Sequence, residues 1–383
     1  MNIVTKECSR CLFNTTVSSI SFNKKNICQF CEMHDEMEKD FPLDNLSSQK
    51  LIDISEEIKK KGSNNKYDCV VGVSGGRDSS YLLYLVKKKM KLRPLAVHYD
   101  NGFNSEVSVT NILKLCEKLD VDLETKVADW NSIRDITKSF FKASVSDPDT
   151  PTDVAIFKTI YEIAYREKIK YVFHGHSFRT EGIEPLDWTY MDGLYVKSVH
   201  NKYGDSDLSK FDNFTLFDLI KFKFYANIKT ILPLNYIKYD KEEVQDILNE
   251  NFSTHFYGGH HHESVLTKFI VSYYLPKKFN IDRRLTQYSA YVRSNQISKT
   301  SAKEILSNPP DGFDDENLKK YVLDKLNLDV NEFHLIMNDK NKNFKDFLTY
   351  YNFFKNFGFI AKILYKINLI PKLLYLRYFG HKY

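Results

Sequence analysis

Apolar residues in this chain change spacing at regular intervals from Tyr67 onward. The unbroken run Cys69-Val70-Val71-Gly72-Val73 reads as a strand buried on both faces. A helical pattern over 81–86 follows it. The alternation continues with a strand over 94–99, a helix near 107–119 and a strand over 122–127. A helix over 156–168 and a strand over 170–174 complete the series. In that last helix Ile156, Ile160, Ile163 and Ala164 share one face. Strands and helices in strict alternation predict an α/β fold, a parallel sheet flanked by helices.

Outside this region the patterning changes character. Residues 50–61 read as a charged helix, broken by Gly62-Ser63-Asn64-Asn65. Beyond residue 180, aromatics and charges mix through 188–192 and 211–225, as in an insertion that covers a site. Residues 236–306 read as mainly helical. The expected units are therefore 1–45, 46–235 (with the insertion), a helical C-terminal region over 236–345, and a tail over 346–383.

With 383 residues, 42% apolar and 27% charged, the composition is that of a globular protein with a substantial core. The net charge of +5 suits an anionic ligand but lacks the basic stripe of a nucleic-acid binder, so no nucleic-acid partner is expected. The first seven residues lack the apolar core of a signal peptide, and no window holds about 18 uninterrupted apolar residues. The expectation is a cytoplasmic protein without a transmembrane span. The tail carries Lys355, Lys362, Lys366, Lys372, Arg377 and Lys382 and no acidic residue from 351 onward. Two readings fit it: an interfacial membrane helix, or a basic helix packed on the domain or a partner. Pro371 favours the second.

Cys8, Cys11, Cys28 and Cys31 form C-x2-C-x16-C-x2-C, the spacing of two knuckles around one tetrahedral ion. Structural zinc is the preferred occupant, with an iron–sulfur cluster the alternative. A closed four-sulfur site leaves no position for water and takes no part in catalysis. Cys69 and Cys116 fall in apolar patterns and read as core thiols.

Ser74-Gly75-Gly76-Arg77-Asp78-Ser79 joins the first strand to the first helix. Glycines in such a turn let backbone N–H groups approach an anion, and the helix N-terminus adds its dipole. Ser74 and Ser79 supply hydroxyls, and Asp78 can hold magnesium against phosphate. Asp100-Asn101-Gly102 and His174-Gly175-His176 end two further strands, so all three can face one crevice. Asn-Gly is also simply a turn dipeptide. Pro151-Thr152-Asp153 opens a helix, where Thr152 or Asp153 serves as N-cap or meets substrate or nucleotide. The segment 257–264 holds His260, His261 and His262. Adjacent histidines point different ways, so a loop entering a helix near Glu263, with Lys268 a turn onward toward phosphate or substrate, is the preferred reading.

The residues 74–79 match SGGxDS and resemble the PP-loop (adenine nucleotide alpha-hydrolase-like) ATP pyrophosphatases; the Walker spacing is absent. Many of these enzymes carry a Gly-His segment ending in paired acids, where this chain has Arg179-Thr180-Glu181. The resemblance implies ATP bound by Ser74, Gly75, Gly76, Arg77, Asp78, Ser79, Asp100, Gly175 and His176, with magnesium on Asp78 and Glu181. Together with the cysteine module, Tyr257-Gly258-Gly259 through Lys268, Ser272-Tyr273-Tyr274-Leu275-Pro276 and 279–284, the chain resembles the N-acetyl sugar amidotransferases of surface-polysaccharide, pseudaminic and legionaminic acid biosynthesis. That family implies an acetamido oxygen adenylated by ATP and displaced by ammonia, giving an acetamidino sugar, AMP and pyrophosphate. Asp78, Ser79 and Lys268 are the expected catalytic residues, and Thr152, Asp153, Arg179, His260, His262 and Glu263 the expected substrate contacts. The implied ammonia source is a glutaminase of the histidine-biosynthesis type, with a cyclase-like barrel. Consistent with an external source, the chain has no G-x-C-x-G elbow and Asn2 at position 2. The rival readings are a PP-loop tRNA-thiolating enzyme and a non-catalytic zinc- and ATP-binding scaffold.

Overall fold

Period-two burial turns the apolar runs into a sheet. Cys69 and Val71 enter one core with Leu82, Leu115 and Leu248, while Val70 enters the opposite one with Ile160 and Phe222. Each such side chain contributes about 1.5–3 kcal/mol through burial. The computed structural model describes residues 5–254, 259, 262–366 and 370–379. After the cysteine knuckles come α1 (Gln29–Asp40) and α2 (Asn45–Gly62), then β1 (Cys69–Gly72) and α3 (Arg77–Tyr84), which a π-helical turn extends to Lys89. Next are β2 (Pro94–Asp100), α4 (Glu106–Leu119), β3 (Leu123–Val127), α5 (Trp130–Lys142), α6 (Thr150–Arg166) and β4 (Tyr171–Phe173). The segments α7 (Gly193–Tyr203) and α8 (Leu216–Ile220) lead to β5 (Lys229–Ile231) and α9 (Lys241–Phe252).

The rest is helical: α10 (Val265–Phe269, continued as a π-helix to Phe279), α11 (Arg284–Arg293), α12 (Lys299–Leu306), α13 (Glu316–Leu326) and α14 (Val330–Asn338). The tail forms α15 (Tyr351–Asn356), α16 (Gly358–Lys366) and α17 (Lys372–Phe379). No helix among the described residues is long and apolar enough to cross a membrane.

The sheet is parallel throughout, in the order β3-β2-β1-β4-β5. The chain moves outward from β1 to β3, then returns to the other side of β1 as β4. Loops beyond β1 and β4 therefore part at a topological switch point, and a crevice opens between them.

The predicted α/β sheet is correct, and several boundaries shift. Helix α6 begins at Thr150, six residues before the expected start, because Pro151 occupies its first turn, where a missing N–H costs nothing. Thr152 and Asp153 consequently lie inside the first turn, and the N-cap is Asp149. Helix α5, absent from the sequence reading, is capped by Asp129, which accepts from Ser132 N, and buries Ile133, Ile136 and Phe140. The cysteine module shares one core with the C-terminal helices: Phe13, Phe30, Phe269, Tyr274 and Val322 belong to the same cluster. It is built into the body of the protein.

Candidate functional site

Residues 73–76 must turn from β1 into α3, and Gly75 makes the turn with φ +76°, in the left-handed region. A Cβ there would sit 2.2 Å from the carbonyl oxygen of Ser108, so only glycine fits. Ser79 Oγ accepts from Ser74 N at 3.1 Å and donates to Gly76 O at 3.1 Å. Ser74 Oγ accepts from Gly76 N at 3.3 Å. Gly76 holds the N-cap position of α3 and has no side chain to cap it, which leaves the helix N-terminus open to an anion as such a site requires.

The loop after β4 closes against this turn. A Cβ on Gly175 would lie 3.3 Å from the Asp78 carbonyl carbon and from Ser79 N, so the bare backbone permits the contact. His176 Nδ1 sits 2.5 Å from Glu181 Oε2. Burial lowers the affinity of His176 for a proton, but the carboxylate more than offsets that and holds it above the usual histidine value. His174, packed on Phe157, is lowered to about 4 by burial and stays neutral.

A third wall comes from residues the sequence reading missed. Tyr239 OH donates to Asp78 Oδ1. Lys241, the first residue of α9, is 9% exposed, and its Nζ lies 4.0 Å from Asp78 Oδ2 and 5.2 Å from the Tyr291 ring centroid. Among the described residues Nζ has no hydrogen-bond partner. Burial lowers Lys241 from the ordinary lysine value, while Asp78 and Glu181 pull it back up. The one legible signal was Asp240, which accepts from Glu242 N and Glu243 N and so marks a helix start.

Glu263 joins the C-terminal region to the phosphate turn. Ser74 Oγ donates to Glu263 Oε1 at 3.3 Å, and the Glu263 carbonyl accepts from Ser105 N at 2.8 Å and Ser108 Oγ at 3.2 Å. Lys268, a turn into α10, pairs with Asp311 at 2.8 Å, and His262 Nδ1 lies 3.8 Å from the same carboxylate. His260 and His261 lie outside the described residues.

One expected contact needs correction. Arg179 does not face substrate. It is 4% exposed, its guanidinium donates to both oxygens of Glu38 (2.8 and 2.7 Å) and to the carbonyls of Asn235 (2.8 Å) and Phe41, and it fixes α1 to the sheet. Asp100 acts through its turn: Oδ1 accepts from Gly102 N at 2.8 Å and Asn104 Nδ2 at 3.0 Å. Thr152 Oγ1 accepts from Asn101 Nδ2 at 3.2 Å, and Asp153 lies in the field of Arg283. Cys69 and Cys116 are buried core thiols. Burial pushes Cys116 up to about 11, away from a reactive thiolate.

The four cysteines gather at the C-terminal end of α11. Their sulfurs are 3.8 Å (Cys8–Cys31), 3.6 Å (Cys11–Cys28) and 3.7 Å (Cys28–Cys31) apart. A tetrahedral ion with bonds of about 2.3 Å places its sulfurs about 3.8 Å apart, so the donors fit one zinc ion. Multi-iron clusters spread their thiolates wider. Arg293, 3% exposed, donates from Nε to Cys31 Sγ at 3.4 Å and from Nη2 to Cys11 Sγ at 3.3 Å. A buried guanidinium needs an anion, and four thiolates around a divalent ion leave net negative charge for it.

Two families match this chain on successive segments. One, described as NAD synthase, matches residues 48–181. The other, described as LPS biosynthesis protein WbpG-like, C-terminal domain, matches residues 263–360. A curated relative from Methanocaldococcus jannaschii, the uncharacterized protein MJ1599, is 29% identical over 174 residues. That match covers 44% of this chain and 58% of the relative. Among solved structures, the U34-tRNA thiolase NcsA from Methanococcus maripaludis is 16% identical with a TM-score of 0.33, covering 89% of this chain and 91% of its own. The NMN synthetase of Francisella tularensis is 14% identical with a TM-score of 0.33, covering 77% and 96%. Ser74 lies in the first matched segment and Glu263 opens the second, so their hydrogen bond joins the two. The chain thus joins a PP-loop segment similar to NAD synthase to a segment similar to the C-terminal domain of WbpG-like lipopolysaccharide-biosynthesis proteins.

Proposed function

We propose that the protein is an AMP-forming amidotransferase that converts the acetamido group of an N-acetyl sugar to an acetamidino group. The observation that carries the reading is the Ser74–Glu263 bond, because it sets the lipopolysaccharide-type segment directly on the phosphate turn. In the reaction the acetamido oxygen attacks the α-phosphorus of ATP, and pyrophosphate leaves. Ammonia then adds to the activated carbon, and AMP departs with the former amide oxygen. Product nitrogen replaces that oxygen, and the amidine takes up a proton.

The chain's own groups have distinct tasks. Backbone N–H groups at the start of α3 receive the departing phosphates, and Lys241 neutralises charge that develops there. Asp78 and Glu181, which both act on Lys241 across the crevice, would hold magnesium, which screens phosphate charge when bound. Tyr239 orients Asp78. The buried Cys69 and Cys116 offer no glutaminase nucleophile, which supports ammonia from a partner glutaminase or free ammonium. The same burial gives a thiolation chemistry no exposed thiol beside Ser74.

The test is incubation with ATP, magnesium, ammonium and a panel of acetamido sugars. AMP, pyrophosphate and a product lighter by the difference between oxygen and NH are expected. ADP in place of AMP, or AMP release that no sugar stimulates, would refute the proposal. Nucleotide binding without turnover would point to a scaffold.

A further inference from the structure

The tail packs one face on the body and leaves the other bare. Helix α17 is anchored: Lys372 Nζ lies 2.8 Å from Asp40 Oδ1 and donates to Glu36 O at 2.6 Å. Arg377 Nε donates to Glu184 O at 3.1 Å, and Leu376 is buried. Helix α16 folds back on α17, with Tyr365 stacked on Tyr375 at 5.1 Å and Ala361 buried. Phe353, Phe357, Phe359, Ile363 and Leu374 remain exposed, Phe359 at 76%. Phe353 and Phe357 touch, with ring centroids 4.8 Å apart. Phe359 and Ile363 stand one turn apart on α16, as do the exposed Lys362 and Lys366 beside them.

A cluster of bare aromatics on a monomer marks a surface that something covers. A second copy of the same face would bring Lys355, Lys362 and Lys366 against their own counterparts, with no acidic residue anywhere in 351–383 to offset them. No described helix can cross a bilayer. A lipid surface rich in anionic headgroups meets both halves of the pattern. Phenylalanine enters the acyl boundary, and lysine stems snorkel to the phosphates. We propose that the exposed face of α15 and α16 docks on an anionic phospholipid bilayer, lying in the headgroup plane while α17 holds it to the body. The basic, apolar-faced helix is thus a peripheral anchor, and it stands whatever reaction the crevice performs.

The test floats the full chain with vesicles of phosphatidylcholine alone or mixed with phosphatidylglycerol. Binding is expected only with the anionic lipid. Joint replacement Phe359→Ser and Ile363→Ser should cut partitioning about tenfold or more, since both lose apolar burial. Joint replacement Lys355→Gln, Lys362→Gln and Lys366→Gln should cut it about as much and flatten its salt dependence. All five side chains are exposed, so the urea midpoint should stay at the wild-type value and certify the fold. Three results would overturn the proposal: no flotation with anionic vesicles, flotation equal to wild type in both variants, or a dimer in light scattering that Phe359→Ser and Ile363→Ser dissolve.

Discussion

Lys241→Met separates a phosphate-binding lysine from a structural one, because the two roles predict opposite signs for stability. The side chain is 9% exposed, and its buried ammonium lies 4.0 Å from an Asp78 carboxylate oxygen, beyond hydrogen-bond reach. Leaving such a group unsatisfied costs about 1–3 kcal/mol, against which the Tyr291 ring returns about 0.5–1 kcal/mol. Methionine keeps the stem and removes the charge, so urea unfolding at pH 7 should show a gain of about 1–2 kcal/mol. Turnover should move the other way. Loss of a preorganised cation at developing phosphate charge costs about 10²–10³-fold in AMP formation. The pH dependence adds a second check. Burial first, only partly countered by Asp78, lowers Lys241 from the ordinary lysine value. In the window below about 10.4 the unfolded chain therefore binds more protons than the folded one, and wild-type stability rises with pH there. The variant lacks that slope. A variant that loses stability yet forms AMP at the wild-type rate would refute the argument and make Lys241 a mere ion-pair partner of Asp78.

Other substitutions probe the remaining parts. Asp78→Asn should keep the fold, through an amide that still accepts from Tyr239, and lower AMP formation about 100-fold or more in a steady-state assay. Arg293→Gln should speed zinc loss to a chelator and shift the thiolate-to-metal bands of the cobalt-substituted protein, since outer-shell donors typically carry about 10–100-fold in metal affinity; an unchanged release rate would deny it that role. Asp147, accepting from Tyr195 OH at 2.8 Å and Tyr190 N at 3.0 Å, is pushed up to about 7 by burial. The folded state then keeps a proton that the unfolded chain releases above about pH 4, so stability falls between about pH 4 and 7, by at most about 4 kcal/mol. Asp147→Asn should abolish that fall, as urea midpoints at the two ends of the window would reveal.

What could be read from sequence was local in origin. The β1 run, the Gly75 turn and the cysteine spacing each declare themselves within a few residues, because a buried strand, a left-handed turn and a tetrahedral ion constrain their immediate neighbours. Arg179 misled for the same reason. Its position beside the crevice strand was legible, while Glu38, 141 residues away, which neutralises it, was not. Lys241 and Tyr239 escaped because nothing near them in sequence refers to phosphate; only the return of the chain as β5 and α9 brings them over Asp78. Helix α5 was missed although Ile133, Ile136 and Phe140 carry a helical stripe, since polar residues dilute it.

The distribution of these long-range residues explains why a metal with no chemical duty would persist beside a nucleotide site. Helix α11 places Tyr291 against Lys241 at the crevice and, two residues on, Arg293 against the cysteine sulfurs. The guanidinium cannot be left in the core without an anion, and among its described hydrogen-bond partners the cysteine sulfurs would supply one as thiolates around a metal. A metal held there would therefore fix the position of α11, and α11 in turn the aromatic wall over Lys241. On this account the cysteine centre acts on the nucleotide through rigid geometry alone, which fits a four-sulfur site that is closed to water.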